Sequence, residues 1–377
     1  VTLDKIASAS TILGLEGSLV NNLTAKYKTA PKITDTLTLV LNNATNAIFT
    51  VDSGFGFAEL NVMNASSLTS FDGKVSTLTI SGLAPLTVGD TTAITGLIGV
   101  TDIELNNTNS IRFGNIGTNG TNATYLTTFK ALTNTGGITT NLIQGATGGF
   151  TMQLGSGADS ISVQDNAATA TNINDIRLGA GDDILNFSTA TAGKTYISGD
   201  DGNDAINLSL STSGGSTSIN TIDGGNGDDR ITIAIDPTIT TISSSFIISG
   251  GMGSDFISDN IGSDIINGGD GNDTIYGGGG SDTITGGAGP ITLSNLGTIS
   301  GAYNLTLNGA AGGSIASIIG TGAGTITKSG AGTWTLSGAN TFTGAVAINA
   351  GALRAANSAA LGTTAGGVRV ESGATLE

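Results

Sequence analysis

Hydrophobic residues alternate with polar ones in short bursts along most of the chain, and glycine separates the bursts. Leu37-Thr-Leu-Val-Leu41, Val75-Ser-Thr-Leu-Thr-Ile80 and Val100-Thr-Asp-Ile-Glu-Leu105 come close to strict alternation. Such a period turns one side of an extended segment inward and predicts a strand. Shorter bursts follow at Ile291-Thr-Leu293, Leu305-Thr-Leu307, Trp334-Thr-Leu336 and Val346-Ala-Ile348. Glu59-Leu-Asn-Val62 and Glu104-Leu-Asn106 read as one motif used twice. Helical spacing occurs at Tyr125, Leu126, Phe129 and Leu132, which predicts a short helix over 122–132. Residues 6–30 read as a further short helical or loop segment. The pattern as a whole predicts an all-β chain of short strands joined by glycine-rich turns.

Between 250 and 285 the turns acquire a nine-residue period. Gly250-Gly-Met-Gly-Ser-Asp-Phe-Ile-Ser258 is followed by Asp259-Asn-Ile-Gly-Ser-Asp-Ile-Ile-Asn267. Then come Gly268-Gly-Asp-Gly-Asn-Asp-Thr-Ile-Tyr276 and Gly277-Gly-Gly-Gly-Ser-Asp-Thr-Ile-Thr285. Glycine permits a tight turn that exposes backbone carbonyls. The aspartates at 255, 264, 273 and 282 add hard anionic oxygens, the ligand type that calcium prefers. The same corner occurs earlier at Asp159, Asp183, Asp204 and Asp229. From 159 to 255 successive aspartates lie 24, 21, 25 and 26 residues apart. A coil of a parallel β-helix takes roughly 18–30 residues, and a period is the signature of such solenoids. One corner per coil predicts a column of aspartates. Two nonads make an 18-residue coil, so Asp255 is expected under Asp273, and Asp264 under Asp282 in a second column on the opposite edge. The expected calcium corners comprise Asp159, Asp183, Asp204, Asp229, Asp255, Asp264, Asp273 and Asp282. Their turn glycines are Gly225, Gly227, Gly251, Gly253, Gly269, Gly271, Gly278 and Gly280. Asp175, Asp223, Asp236 and Asp259 read as surface acids or outer neighbours of the corners.

Composition narrows what such a scaffold can do. The 377 residues include 60 glycines and neither cysteine nor histidine. Disulfides, a thiol nucleophile, an imidazole base and the usual zinc or copper sites are thereby excluded. The net charge of −16 is concentrated: residues 159–282 hold 18 acids against three bases, and 283–377 hold two acids against three bases. Acidic charge at that density repels itself unless cations neutralise it. Nucleic acid is not an expected partner, because no basic stripe exists. No apolar run reaches the roughly 18–20 residues of a membrane helix. Lacking an initiator Met and a signal peptide, and ending in mid-pattern, the chain reads as a piece of a longer protein.

The nonads at 224–232 and 250–285 resemble RTX calcium-binding repeats, with consensus Gly-Gly-X-Gly-X-Asp-X-large apolar-X. The resemblance implies a β-roll in which loop carbonyls and aspartates of successive coils share each ion. Asp259-Asn260 and Asp200 depart from the consensus glycines. Over 1–285 the mixture of Thr/Asn-rich β segments and spaced corners is similar in style to calcium-dependent S-layer proteins. Gly330-Ala-Gly-Thr-Trp-Thr-Leu-Ser-Gly-Ala-Asn-Thr-Phe-Thr-Gly344 and Asn349-Ala-Gly-Ala-Leu-Arg354 resemble the passenger-associated repeat of autotransporters. That family implies a right-handed parallel β-helix exported through the outer membrane ahead of a membrane β-barrel.

Three regions are expected: an irregular Thr/Asn-rich β region over 1–150, an RTX-type calcium-binding β-helix or β-roll over 151–289, and a metal-free autotransporter-type β-helix over 290–377. Together they predict a structural bacterial cell-surface protein, a surface layer, fibre or stalk, whose right-handed parallel β-solenoid orders on calcium outside the cell. The expected partners are calcium ions, further copies of the chain, and outer-membrane export machinery or a barrel. An adhesin that binds host or neighbouring-cell ligands is the alternative. A polysaccharide-degrading enzyme is disfavoured, because the acids recur with the fold period and only Arg177, Lys194 and Arg230 lie near the corners. Trp334 and Phe342 are expected in the core and Arg354 at the surface.

Overall fold

The computed structural model describes residues 2–6, 10–18, 23–27, 36–45, 47–89, 101–116, 126–144, 149–165, 173–189, 193–210, 219–235, 245–259, 262–278, 281–286, 291–293, 298–300 and 304–377. Strands, turns and bends account for all regular structure among them, with no helix. Packing divides the chain into two units, Val1–Gly193 and Lys194–Glu377. Each is a parallel β-solenoid in which most strands pair with the second strand before and the second after, so two ladders alternate along the chain, although Thr36–Thr45, Ala47–Val62 and Ser66–Gly82 pair in direct succession.

In the first unit one ladder runs through Thr36–Thr45, Ala47–Val62, Ser66–Gly82, Asp102–Asn107, Thr128–Lys130, Phe150–Gln153 and Ile173–Arg177. The other joins Leu86–Val88, Ile111–Ile116, Ile138–Gln144, Ser160–Asp165 and Ile184–Thr189. Alternate residues point inward, so the apolar half of each burst stacks on its neighbours. Leu39, Leu60, Ile80 and Leu105 form one buried column, and Ile103, Phe129, Met152 and Ile176 another. Glu59 and Glu104 both face Thr79, so the repeated motif is one position met two coils apart. The helix expected over 122–132 is not formed in its described part. Phe129 instead lies in the strand Thr128–Lys130, paired on both sides in the ladder, where backbone hydrogen bonding overrides a four-residue coincidence of spacing. Residues 122–125 lie outside the described residues. Segments 10–18 and 23–27 are likewise strands rather than helix or loop.

In the second unit one ladder joins Ala205–Leu210, Arg230–Ile235, Phe256–Ser258, Asp273–Tyr276, Ile291–Leu293, Gly312–Ile315, Thr333–Leu336, Ala352–Ala355 and Thr375–Leu376. The other starts at Lys194–Ser198 and passes through Ile219–Asn226, Ser245–Met252, Ile265–Asp270, Thr283–Gly286, Leu305–Gly309, Ile326–Lys328 and Val346–Ile348 to Val368–Val370. Ile206, Ile231, Ile257 and Ile275 stack in the first ladder, and Ile222, Ile248, Ile266, Ile284 and Leu307 in the second, all buried. Burying each such side chain contributes about 1.5–3 kcal/mol. Trp334 and Phe342 are buried, and Arg354 lies at the surface, paired with Glu377. Parallel pairing continues through both ladders from the acidic corners into 304–377.

Candidate metal centre

Each corner aspartate occupies the first inward position after its turn, just ahead of a strand. In the second unit Asp204, Asp229, Asp255 and Asp273 stack in one column. Asp229 Oδ1 accepts from the Asp204 N–H at 2.8 Å, Asp255 Oδ1 from Asp229 N–H at 2.8 Å, and Asp273 Oδ1 from Asp255 N–H at 3.1 Å. A second column forms at the other ladder, where Asp264 Oδ1 accepts from Phe246 N–H at 2.7 Å and Asp282 Oδ1 from Asp264 N–H at 3.2 Å. The pairings Asp255 with Asp273 and Asp264 with Asp282 are those expected from the 18-residue coil. In the first unit Asp159 Oδ1 accepts from Ile138 N–H at 2.6 Å and Asp183 Oδ1 from Asp159 N–H at 2.7 Å. All eight aspartates are buried.

The second carboxylate oxygen distinguishes these corners. Oδ2 of Asp159, Asp229, Asp255 and Asp273 is buried with no hydrogen-bond partner among the described residues. Burial accordingly raises the pKa of Asp159, Asp183, Asp229, Asp255 and Asp282 to about 7, against the lowering effect of the backbone N–H. Asp273 and Asp264 are raised for the same reason. Other corners put asparagine in the same role: Asn174 Oδ1 accepts from Phe150 N–H, Asn220 Oδ1 from Thr195 N–H and Asn340 Oδ1 from Ile319 N–H. There the amide nitrogen finds an acceptor, Asp165 Oδ2 for Asn174 and the Ala360 carbonyl for Asn340. Orienting the corner thus requires only Oδ1. A carboxylate at this position leaves an oxygen that suits a cation.

The glycines supply the rest of the donor set. A Cβ built on the first glycine of a nonad falls 2.5 Å from Asp229 Oδ2 at Gly224, 2.2 Å from Asp255 Oδ2 at Gly250 and 2.3 Å from Asp273 Oδ2 at Gly268. The missing side chain is the space into which the carboxylate looks. Gly251 has φ +112°, and a Cβ there would lie 1.9 Å from the Gly225 carbonyl oxygen. Gly225, Gly251 and Gly269 therefore stack backbone on backbone, as do Gly227, Gly253 and Gly271, bringing carbonyls of successive corners together. Asp200 takes the second-glycine position at φ 69°, a region that aspartate tolerates better than most residues. No three carboxylates converge on one point among the described residues. An ion in a corner would therefore rest on one or two carboxylates and on backbone carbonyls, a donor set that fits calcium.

Gly278 is a left-handed turn residue as expected, and Gly280 lies outside the described residues. Asp236 does too, while Asp175 and Asp223 are surface residues. Asp259 is a neighbour of a corner rather than a surface acid: it is buried, with its carboxyl against that of Asp264. It stands at the first position of its nonad, which at Gly199, Gly224, Gly250 and Gly268 faces the corner's own aspartate. The first-position glycines Gly224, Gly250 and Gly268 were absent from the expected ligand set, although they recur as regularly as the others. The asparagine corners also escaped the sequence reading, because they lack the Gly-Gly-X-Gly turn ahead of them.

Two repeat families match the chain. The RTX calcium-binding nonapeptide repeat, in four copies, matches residues 215–232 and 258–290. The passenger-associated-transport-repeat matches residues 326–355. No curated protein and no solved structure matches the chain. The repeats and the parallel β-solenoid together fit a secreted or cell-surface protein of structural or adhesin type. No helix among the described residues is long and apolar enough to cross a membrane.

Proposed function

We propose that the protein is a structural component of a bacterial cell surface whose β-solenoid is completed by calcium at its glycine corners. The observation that carries this reading is the buried Oδ2 of Asp159, Asp229, Asp255 and Asp273, unpartnered where the amide nitrogens of Asn174 and Asn340 are partnered. The residues that would hold the ions are Asp159, Asp183, Asp204, Asp229, Asp255, Asp264, Asp273 and Asp282, with carbonyls of the stacked turn glycines. A bound divalent cation supplies the positive charge and oxygen coordination that a buried carboxylate otherwise lacks. The chain itself does the rest. Backbone N–H groups fix each carboxylate, and the first-position glycines leave room beside it.

The 18 acids of 159–282 repel one another in the uncompensated chain, which favours an unfolded form suited to threading through export machinery. Extracellular modules bind calcium at about 10⁻⁴–10⁻³ M, so ordering belongs outside the cell. Binding to the folded form alone stabilises it by mass action, and coils that contact only their neighbours pass that order along the stack. In this reading 1–150 forms early coils, 151–289 is the calcium-dependent part, and 290–377 extends or caps it without metal. Sheet edges at the ends of a solenoid can add further copies, giving a fibre or layer.

Calcium titration followed by circular dichroism and calorimetry tests the corners. Wild type should order on calcium. A triple variant, Asp229→Asn/Asp255→Asn/Asp273→Asn, should keep its corners through the retained Oδ1 and lose most of the calcium response. A wild-type spectrum and unfolding temperature indifferent to chelator would sink the reading. Electron microscopy with and without calcium tests assembly separately, and single particles at saturating calcium would remove the layer or fibre role.

A further inference from the structure

One inward position breaks the aliphatic column of the second unit. Following Ile266, Ile284 and Leu307, the next residue in register is Lys328, and Ile348 follows it. Lys328 is fully buried. Its Nζ donates to three backbone carbonyls: Ser329 at 2.8 Å, Gly330 at 2.9 Å and, 22 residues on, Ala350 at 3.0 Å. Only two acids occur in 283–377, Glu371 and Glu377, and each is paired with an arginine. Burial lowers the lysine pKa, so its charge is held against a desolvation penalty. Three carbonyl acceptors nonetheless select the ammonium. It has three N–H groups, whereas a neutral amine would turn a lone pair towards one carbonyl.

Register places this arrangement in the same series of corners as the aspartates. The corner after Ile248 ends at Asp255 and the one after Ile266 at Asp273, whereas the one after Lys328 ends at Trp334. In the first two a carboxylate enters the corner from one side. In the last, the carboxylate position is aromatic and a positive charge enters from the other side, onto carbonyls of two successive coils. We propose that the Lys328 ammonium is a resident cation, which fastens its own corner to the next through their carbonyl oxygens and holds 326–355 together without a bound ion. The clamp stands or falls independently of calcium at the aspartates, since none of its atoms belongs to an acidic corner.

Hydrogen exchange read by mass spectrometry on the full chain, in calcium and in chelator, tests this. Wild-type peptides within 326–355 should be equally protected in both. Lys328→Met keeps the stem and removes the donors. It should exchange about 10- to 100-fold faster there in both conditions, as expected when buried carbonyls lose their partner, with 101–144 unchanged. Wild-type protection in Lys328→Met, or protection that calcium restores, would overturn the proposal. If that variant does not fold, amine labelling of wild type decides. Lys328 should resist acylation in chelator as in calcium, and labelling in chelator at the denatured rate would overturn the proposal.

Discussion

Within the second unit, the coils bearing Asp204 to Asp282 and the coils of 304–377 share one backbone plan and fill it with opposite chemistry. Read along one column, the position carries Asp204, Asp229, Asp255 and Asp273, then Ile291, Gly313, Trp334 and Leu353. The parallel ladder does not change where the residue type does. A carboxylate is therefore not required to make the turn, and by itself it opposes folding, because burying it unpaired is costly. On the proposed reading the acidic coils are stable conditionally, the others on their own packing.

The comparison breaks hardest at the stacked glycines. Gly251→Ala puts a Cβ into the Gly225 carbonyl at a left-handed φ, and should cost about 3–5 kcal/mol or abolish the cooperative transition. Gly373→Ala, with φ +84° and nothing within 4 Å, should cost only about 1–2 kcal/mol. Denaturant melts of the two variants measure the difference; similar costs would mean that stacking is not what fixes the corner. Next comes the shared column. Trp334→Ala should lose about 3–5 kcal/mol whether or not calcium is present. Asp273→Asn, which keeps the Oδ1 acceptor, should lose stability only with calcium, by about 1–3 kcal/mol, and little in chelator. Equal losses under both conditions would erase the distinction between the regions.

A separate effect follows from protonation. Folded Asp159, Asp183, Asp229, Asp255 and Asp282 titrate near 7 without metal, against an ordinary value of 3.8. Between those values the folded chain holds more protons than the unfolded one, so stability in chelator falls as pH rises from about 4 to about 7 and stays low above it. The unfolding temperature in chelator should therefore be higher at pH 5 than at pH 7.5, with calcium narrowing the gap. A rise with pH would contradict burial as the cause. The least change is expected from Arg354→Ala, whose exposed ion pair with Glu377 should be worth no more than about 0.5 kcal/mol in a thermal melt.

Much of this plan was legible in residue order. Period-2 bursts marked strands, and aspartate spacing predicted which carboxylates stack, because each coil repeats one turn at nearly constant length. Asp259 could be read as exposed or as a neighbour of a corner, and residue order did not choose between them, because a substitution at a consensus glycine looks external whereas the first position faces inward. Phe129 was misread because a short apolar spacing does not reveal the strands on either side of it. Lys328 gave no signal at all: one lysine in an apolar burst looks like an outward residue until register places it between Leu307 and Ile348.

The carboxylate hydrogen bonds of the aspartate columns all point the same way. Each Oδ1 reaches back to an N–H of the coil before it, while the backbone carbonyl of Asp204, Asp229 or Asp255 accepts from the coil after it. The N–H and carbonyl of a corner aspartate are thus completed by the following coil, and its carboxylate by the preceding one. The two ends of such a stack are chemically unlike: one offers N–H groups awaiting a carboxylate, the other a carboxylate awaiting an N–H. Growth from one end is not the mirror of growth from the other, and the order in which coils emerge into solution becomes a variable that the corner itself can read.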